Sequence, residues 1–295
     1  MKIPAKVVVA ILVVVVLAGA GLWAQRASTT IKPIKLSGHD VELLVTEVLP
    51  PEAREQILSG PDANKTIVTE LKSFFAVAQQ AELEGYAEKL KSEISLDEDA
   101  VLSAAYKQKH PEVKVTDEDV RAYFQSNPTA LDDFLKANPQ LQENARKMSP
   151  EQMRDMRRNY GEFKILAERA RNEKLDQDEV VRLRMLFRRS QTLYGAYAQD
   201  LEKRIDAQIK PEDVEQYYRM HQDELSKQGL TLDDPRVRQG IMNRVKSEKI
   251  QERINQIAAS NRVEIAENFT LPQKQAAPQE ESGSEQQSDK EDKEQ

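Results

Sequence analysis

Cysteine is absent from the 295 residues, which excludes disulfides, thiolate metal sites, a thiol nucleophile and any lipid carried on cysteine. Glycine is scarce, at 10 residues with no two adjacent, and aromatics make up only 5%. Few glycine turns and few β-branched alternations suit a chain poorly to sheets. Its 32% charged residues and mean hydropathy of −0.67 suit solvated helices instead. The expectation is a mainly α fold, long enough for one or two domains with cores.

Chemistry is equally sparse. His39, His110 and His221 stand far apart in polar contexts, without His-Glu-x-x-His or any other paired ligand spacing, and they read as surface residues. There is no G-x-S-x-G, no P-loop, and no G-x-G-x-x-G following a strand. Acid pairs such as Asp97 and Glu98 are expected on solvated faces at this charge content. No catalytic, cofactor-binding or metal-binding residue is therefore assigned, and no cofactor is expected.

The net charge is −7, but residues 268–295 hold seven acids against three lysines, so −4 of it sits in the tail. The remainder is nearly balanced and has no basic stripe to neutralise phosphates, which argues against nucleic acid as a partner.

What is present begins with "MKIPAKVVVAILVVVVLAGAGLWAQR". Lys2 and Lys6 precede an unbroken apolar run from Val7 to Ala24, the layout of an export signal. Ala18-Gly19-Ala20 offers a cleavage site, while roughly 18 apolar residues also just span a bilayer as a helix. Residues 1–26 thus read as a signal peptide or a membrane anchor, and either outcome puts the bulk of the chain outside the cytoplasm.

A small, polar, proline-broken linker is expected over residues 27–39, a first helical set over 40–145, a second over 146–269, and a disordered acidic tail over 270–295. The first set contains two short helices around Pro50-Pro51. A long helix follows with Val68, Leu71, Phe75, Ala78 and Leu83 at helical spacing, then a capping box from Ser95 to Glu98. "SNPTALDDFLKANPQLQENARKM" reads as a polar bridge. The second set opens on the capping box Ser149 to Gln152, with Pro150 at the first helical position. Val180, Leu183, Phe187, Ser190, Tyr194, Tyr197 and Leu201 then step by three and four, the spacing of a buried helix face. Asp234 and Pro235 start one more helix, and "RVEIAENF" alternates enough for a short strand or extended arm.

The two sets resemble each other. "FFAVAQQAELEGY" from Phe74 aligns with "FKILAERARNEKL" from Phe163 at an offset of 89, and "EDVRAYF" at Glu118 with "EDVEQYY" at Glu212 at an offset of 94. Both helix openings put acids in the first turn, favourable near the positive end of the helix dipole, and a valine and an aromatic pair on one face. This pattern predicts an internal duplication.

These runs, taken in order with "LPPEAREQIL", "LDQDEVVRLRMLFRRSQTLYGAYAQDLEKRIDAQIKPEDVEQYYRMHQDEL" and the closing "RVEIAENF", resemble the N-terminal chaperone region of the SurA, PpiD and PrsA group of exported foldases. The resemblance covers most of residues 40–269. It implies a mainly helical cradle outside the cytoplasm that holds unfolded or incompletely folded secreted and outer-membrane polypeptides. Members of that group commonly carry a parvulin prolyl isomerase domain, with a histidine in an early strand and a Gly-Gly turn; here no Gly-Gly pair exists and no segment is strand-rich enough.

The expected function is an ATP-independent holdase whose partners are unfolded exported chains, with contact to the membrane through residues 1–26 if they are retained. The alternatives are a prolyl isomerase with an unrecognised site and a membrane-tethered structural adaptor. Met153, Met156 and Met185 are candidate client contacts because methionine surfaces adapt to varied partners. Tyr123 and Tyr217, one in each repeated opening, are candidates for the same role.

Overall fold

The computed structural model describes residues 32–58 and 62–271. Among them are thirteen α-helices and a single two-stranded sheet, so the chain is mainly α. The sequence features assigned to residues 1–26 lie outside the described residues, as does the tail from residue 272.

Strand β1 (Ile34–Leu36) pairs in parallel with β2 (Val263–Ile265), in the register Ile34 to Val263 and Leu36 to Ile265. The second strand is the expected one. The first falls inside the stretch expected to be linker, because three residues are too few to display a period of two. Ser37 then caps α1 (Gly38–Leu43): its hydroxyl accepts from the Asp40 amide at 3.1 Å, and the Asp40 carboxylate accepts from the Ser37 amide at 2.8 Å. Burial pushes the Asp40 carboxyl up, but the Ser37 bonds and the Arg182 guanidinium outweigh it and hold the carboxyl below the usual range. A five-residue π turn (Leu44–Val48) carries the chain to α2 (Pro51–Leu58), with proline in the first turn, as expected.

The long helices follow. After α3 (Ala63–Leu83), Gly85 turns the chain at φ 81°; α4 (Tyr86–Lys89) and α5 (Lys91–Lys109) succeed it. The capping box expected from Ser95 to Glu98 does not form, since α5 begins four residues earlier and Ser95 lies within it. Ile94, nearly fully buried in the first core, extends the helix past that point. Next come α6 (Asp117–Ser126), α7 (Ala130–Ala137), α8 (Pro139–Arg146) and α9 (Pro150–Asn172). The presumed polar bridge is thus two helices, whose Leu131, Leu135 and Ala145 are buried. The Ser149 box forms as expected, with the Ser149 amide donating to Gln152 Oε1 at 2.8 Å. Lys174 turns the chain after α9 at φ 58°, the only non-glycine positive φ among the described residues. Helices α10 (Glu179–Asp206), α11 (Pro211–Met220), α12 (Gln222–Lys227) and α13 (Pro235–Ser260) complete the chain.

Three apolar clusters hold these elements. The first joins the sheet and α1 with α3, α10 and α13 through Leu44, Phe75, Leu183, Tyr197 and Ile257, all essentially inaccessible. The second joins the C-terminal part of α5 with α6 through α9 and the start of α10 around Leu102, Phe124, Leu166 and Ala167. The third is small: Val214 and Tyr217 of α11 against Ile241 and Val245 of α13.

The two sets interlock. Helix α3 packs along α10 and α9 along α5, while neither α3 nor α9 packs extensively on its own successor. Helices α5 and α10 also pack together. The left-handed residue after α3, Gly85, lies 89 residues before Lys174 after α9. Buried Leu102 and Tyr106 of α5 lie 91 residues before buried Leu193 and Tyr197 of α10. Corresponding helices therefore make corresponding contacts across the sets.

The C-terminal arm closes on the N-terminal elements. A Cβ at Gly38 would collide with the Asn268 carbonyl, and the Thr270 amide donates to Glu42 Oε1 at 2.8 Å. Phe269 and Leu271 are buried, so order runs two residues into the segment expected as tail.

Candidate functional site

One open hollow of about 670 Å³ is lined mainly by apolar side chains and lies between α5, α7 and α9. The Ser149 cap fixes where α9 starts, and from there Gln152, Asp155, Met156, Asn159, Tyr160 and Phe163 recur at steps of three, one, three, one and three. That spacing puts them on one face of the helix. Helix α5 supplies Leu96, Asp97 and Ala100, and α7 supplies Phe134. The Phe134 and Tyr160 rings lie 5.1 Å apart, and the Tyr160 hydroxyl donates to the Ala130 carbonyl at 3.2 Å, pinning α7 to α9. A second hollow of about 710 Å³ beside the sheet mixes Lys35, Lys72, Glu264 and Glu267 with fewer apolar groups.

The two helix pairs with similar sequence patterns differ at this place. In the first set Phe74 is covered by two rings of α10, Phe187 at 5.2 Å and Tyr194 at 5.5 Å. Its counterpart 89 residues on, Phe163, faces α5, where the positions 91 residues before Phe187 and Tyr194 hold Leu96 and Ser103. Two aromatic side chains in one pair thus correspond in the other to Leu96, which lines the groove, and to Ser103, which is buried.

Electrostatics at this end are one-sided. Asp97 accepts from the Thr192 hydroxyl at 2.6 Å, Asp155 is exposed, and no lysine or arginine is among the lining residues. Burial pushes the Tyr160 phenol up, and the neighbouring Asp99 and Asp133 carboxylates add to this. Behind it, the Tyr123 phenol is pushed up to about 12, first by burial and then by Tyr160 and Asp99. Both phenols stay neutral at any physiological pH. Asp99 itself is buried and is held by Lys164 and Arg171, and no buried side-chain polar atom among the described residues lacks a partner.

Of the five candidate contacts, only Met156 lines the groove. Met153 and Met185 are half-buried against the second cluster, and Tyr123 is half-buried beneath Tyr160. Tyr217 is buried in the third cluster. Phe134, Tyr160, Phe163 and Leu96 were not singled out from the sequence. For Phe134 a signal existed, since Leu131, Phe134 and Leu135 step by three and one in the segment read as bridge. His39 is exposed, whereas His110 and His221 are half-buried: the His110 ring lies 4.6 Å from that of Tyr106 with its Nε2 2.9 Å from Glu173, and the His221 ring stacks on Tyr217 at 4.3 Å. Among the described residues no cluster of three or more His, Asp or Glu could hold a metal, and no helix is long and apolar enough to cross a membrane.

No protein-family model, curated protein or solved structure matches the chain.

Proposed function

We propose that the chain is an ATP-independent holdase for unfolded or incompletely folded exported polypeptides. The observation that carries this reading is the groove on α5, α7 and α9: open, and lined mainly by apolar side chains, with Leu96, Phe134, Met156 and Phe163 among them. The order of helix patterns resembling the SurA, PpiD and PrsA chaperone region supports it, as does the lysine-led apolar run at residues 1–26, on which a location in the periplasm or at the outer face of the cytoplasmic membrane rests.

Magnitudes fit a holdase. Each ~100 Å² of apolar client surface buried in such a groove gives about 2.5 kcal/mol. About 400 Å² buried is thus ~10 kcal/mol gross, and association costs of ~4–15 kcal/mol remove much of it. Binding is accordingly weak, reversible and tolerant of sequence.

The test is light scattering from a chemically denatured outer-membrane or secreted protein diluted into buffer with the full chain. Suppression of aggregation is expected, and Met156→Glu, which puts a charge in the groove, should weaken it. No suppression at several-fold molar excess would sink the reading. In a proline-limited refolding assay the chain should slow refolding; acceleration at substoichiometric amounts would point to the isomerase alternative.

A further inference from the structure

The rim of the groove selects among apolar segments by charge. We propose that it takes unfolded segments in which an apolar or aromatic residue is flanked by lysine or arginine. This inference rests on the holdase reading and specifies its ligand.

Two carboxylates border the apolar floor, Asp97 from α5 and Asp155 from α9, while Asp133 of α7 pairs with Lys136 at 3.6 Å. Thr192 occupies one oxygen of Asp97, leaving the other available, and Asp155 has exposed space above it. Three basic residues of α9 are engaged elsewhere. Arg157 stacks on the Phe124 ring at 4.1 Å, Arg158 pairs with Asp117 at 3.1 Å, and Lys164 pairs with Asp99. A bound segment therefore meets carboxylates with no competing cation in the lining. The same rim repels the chain's own tail, which carries seven acids against three lysines, so the tail is a poor self-ligand. Asp155 is exposed and Asp97 half-buried, so the two contacts together give roughly a fivefold preference, reduced by salt.

The experiment measures fluorescence anisotropy of three labelled 12-residue peptides with one shared Leu-Phe-Leu centre and flanks of Lys, Ser or Glu, against the full chain. Expected is Lys-flanked binding about fivefold tighter than Ser-flanked, with Glu-flanked weakest, and the spread shrinking at high salt. In Asp97→Asn/Asp155→Asn the ratio of Lys- to Glu-flanked affinities should fall toward one. Asp155→Lys, at an exposed position that folding does not depend on, should invert the order even if the double variant is unstable. Equal affinity for all three peptides overturns the charge selection while leaving the holdase reading intact. Binding of none of them, together with no suppression of aggregation, overturns both. A synthetic copy of residues 1–26, which also joins lysines to an apolar run, serves as competitor; displacement of every peptide at lower concentration than the Lys-flanked one requires would make that segment the occupant and overturn the proposal.

Discussion

The α3–α10 and α9–α5 interfaces are two versions of one helix pairing, and they differ in what they leave open. At the first, Phe74, Phe187 and Tyr194 fill the space between the helices. At the second, the corresponding positions hold Leu96 and Ser103, and Phe163 and Leu96 line a groove. The helices that follow diverge as well. Helix α6 docks on α9 at Gly161, where a Cβ would sit 2.9 Å from Val120 Cγ1. The residue 89 positions earlier on α3 is Lys72, which is exposed, and α11 docks on α13 instead. Ion pairs across the two interfaces also run in opposite senses: Glu82 of α3 binds Arg189 of α10, whereas Arg171 of α9 binds Asp99 of α5. One pairing has become a closed core and the other a surface with a hollow. The lesson is that two helix pairs with similar sequence patterns need differ in only a few side-chain volumes for one to be closed and the other to carry a hollow.

The largest effect tests the closed core. Phe75 is fully buried where both sets meet, so Phe75→Ala should cost about 3–5 kcal/mol. Because α10 packs on both α3 and α5, urea unfolding followed by far-UV circular dichroism should move as a single transition. Two separated transitions in the variant would mean that the sets fold independently and that interlocking adds no cooperativity. Gly161→Val tests the docking of α6. It forces a side chain against Val120 and Phe124 and should cost about 1–3 kcal/mol by overpacking, whereas Lys72→Val at the corresponding exposed position should stay within about 0.5 kcal/mol. Equal costs at the two positions would remove the steric reason for the asymmetry.

Much of this was legible beforehand. Helical periodicity located α3, α10 and α13 because their apolar residues recur over many turns, and the Ser149 and Asp234 caps were written in residue types that do little else at helix starts. The short elements were not: β1 has three residues, and α7 and α8 have eight each, surrounded by Asn and Pro that read as breakers. The groove was half legible. Met156 was a candidate from its flexibility, but its neighbours come from α5 and α7, brought there by long-range packing that no local pattern encodes. Tyr217 misled because its repeat partner Tyr123 occupies a different environment, with the buried ring moved one position along: Phe124 in α6, Tyr217 in α11.

The smallest effect asks whether the two repeated helix openings are still equivalent. In α6 the Thr116 amide donates to the Asp119 carboxylate at 2.9 Å, and in α11 the Lys210 amide donates to Asp213 at 2.8 Å. These backbone bonds are the leading cause that holds both carboxyls below the usual range, helped by Arg169 beside Asp119 and Lys249 beside Asp213. A carboxyl whose pKa is lowered in the folded state stabilises fully above its ordinary value of about 3.9, and that contribution is lost as pH falls through the lower folded value. Both groups are half-exposed and within reach of solvent, so each contributes only a few tenths of a kcal/mol after screening. Carboxyl chemical shifts followed by NMR from neutral to acid pH should give inflections below about 3.9 for both residues, and Asp119→Asn and Asp213→Asn should each delete one inflection without moving the other. An ordinary value at Asp213 beside a lowered one at Asp119 would mean that the lysine-preceded opening has lost its cap, and the likeness of the two openings would then reside in their letters alone.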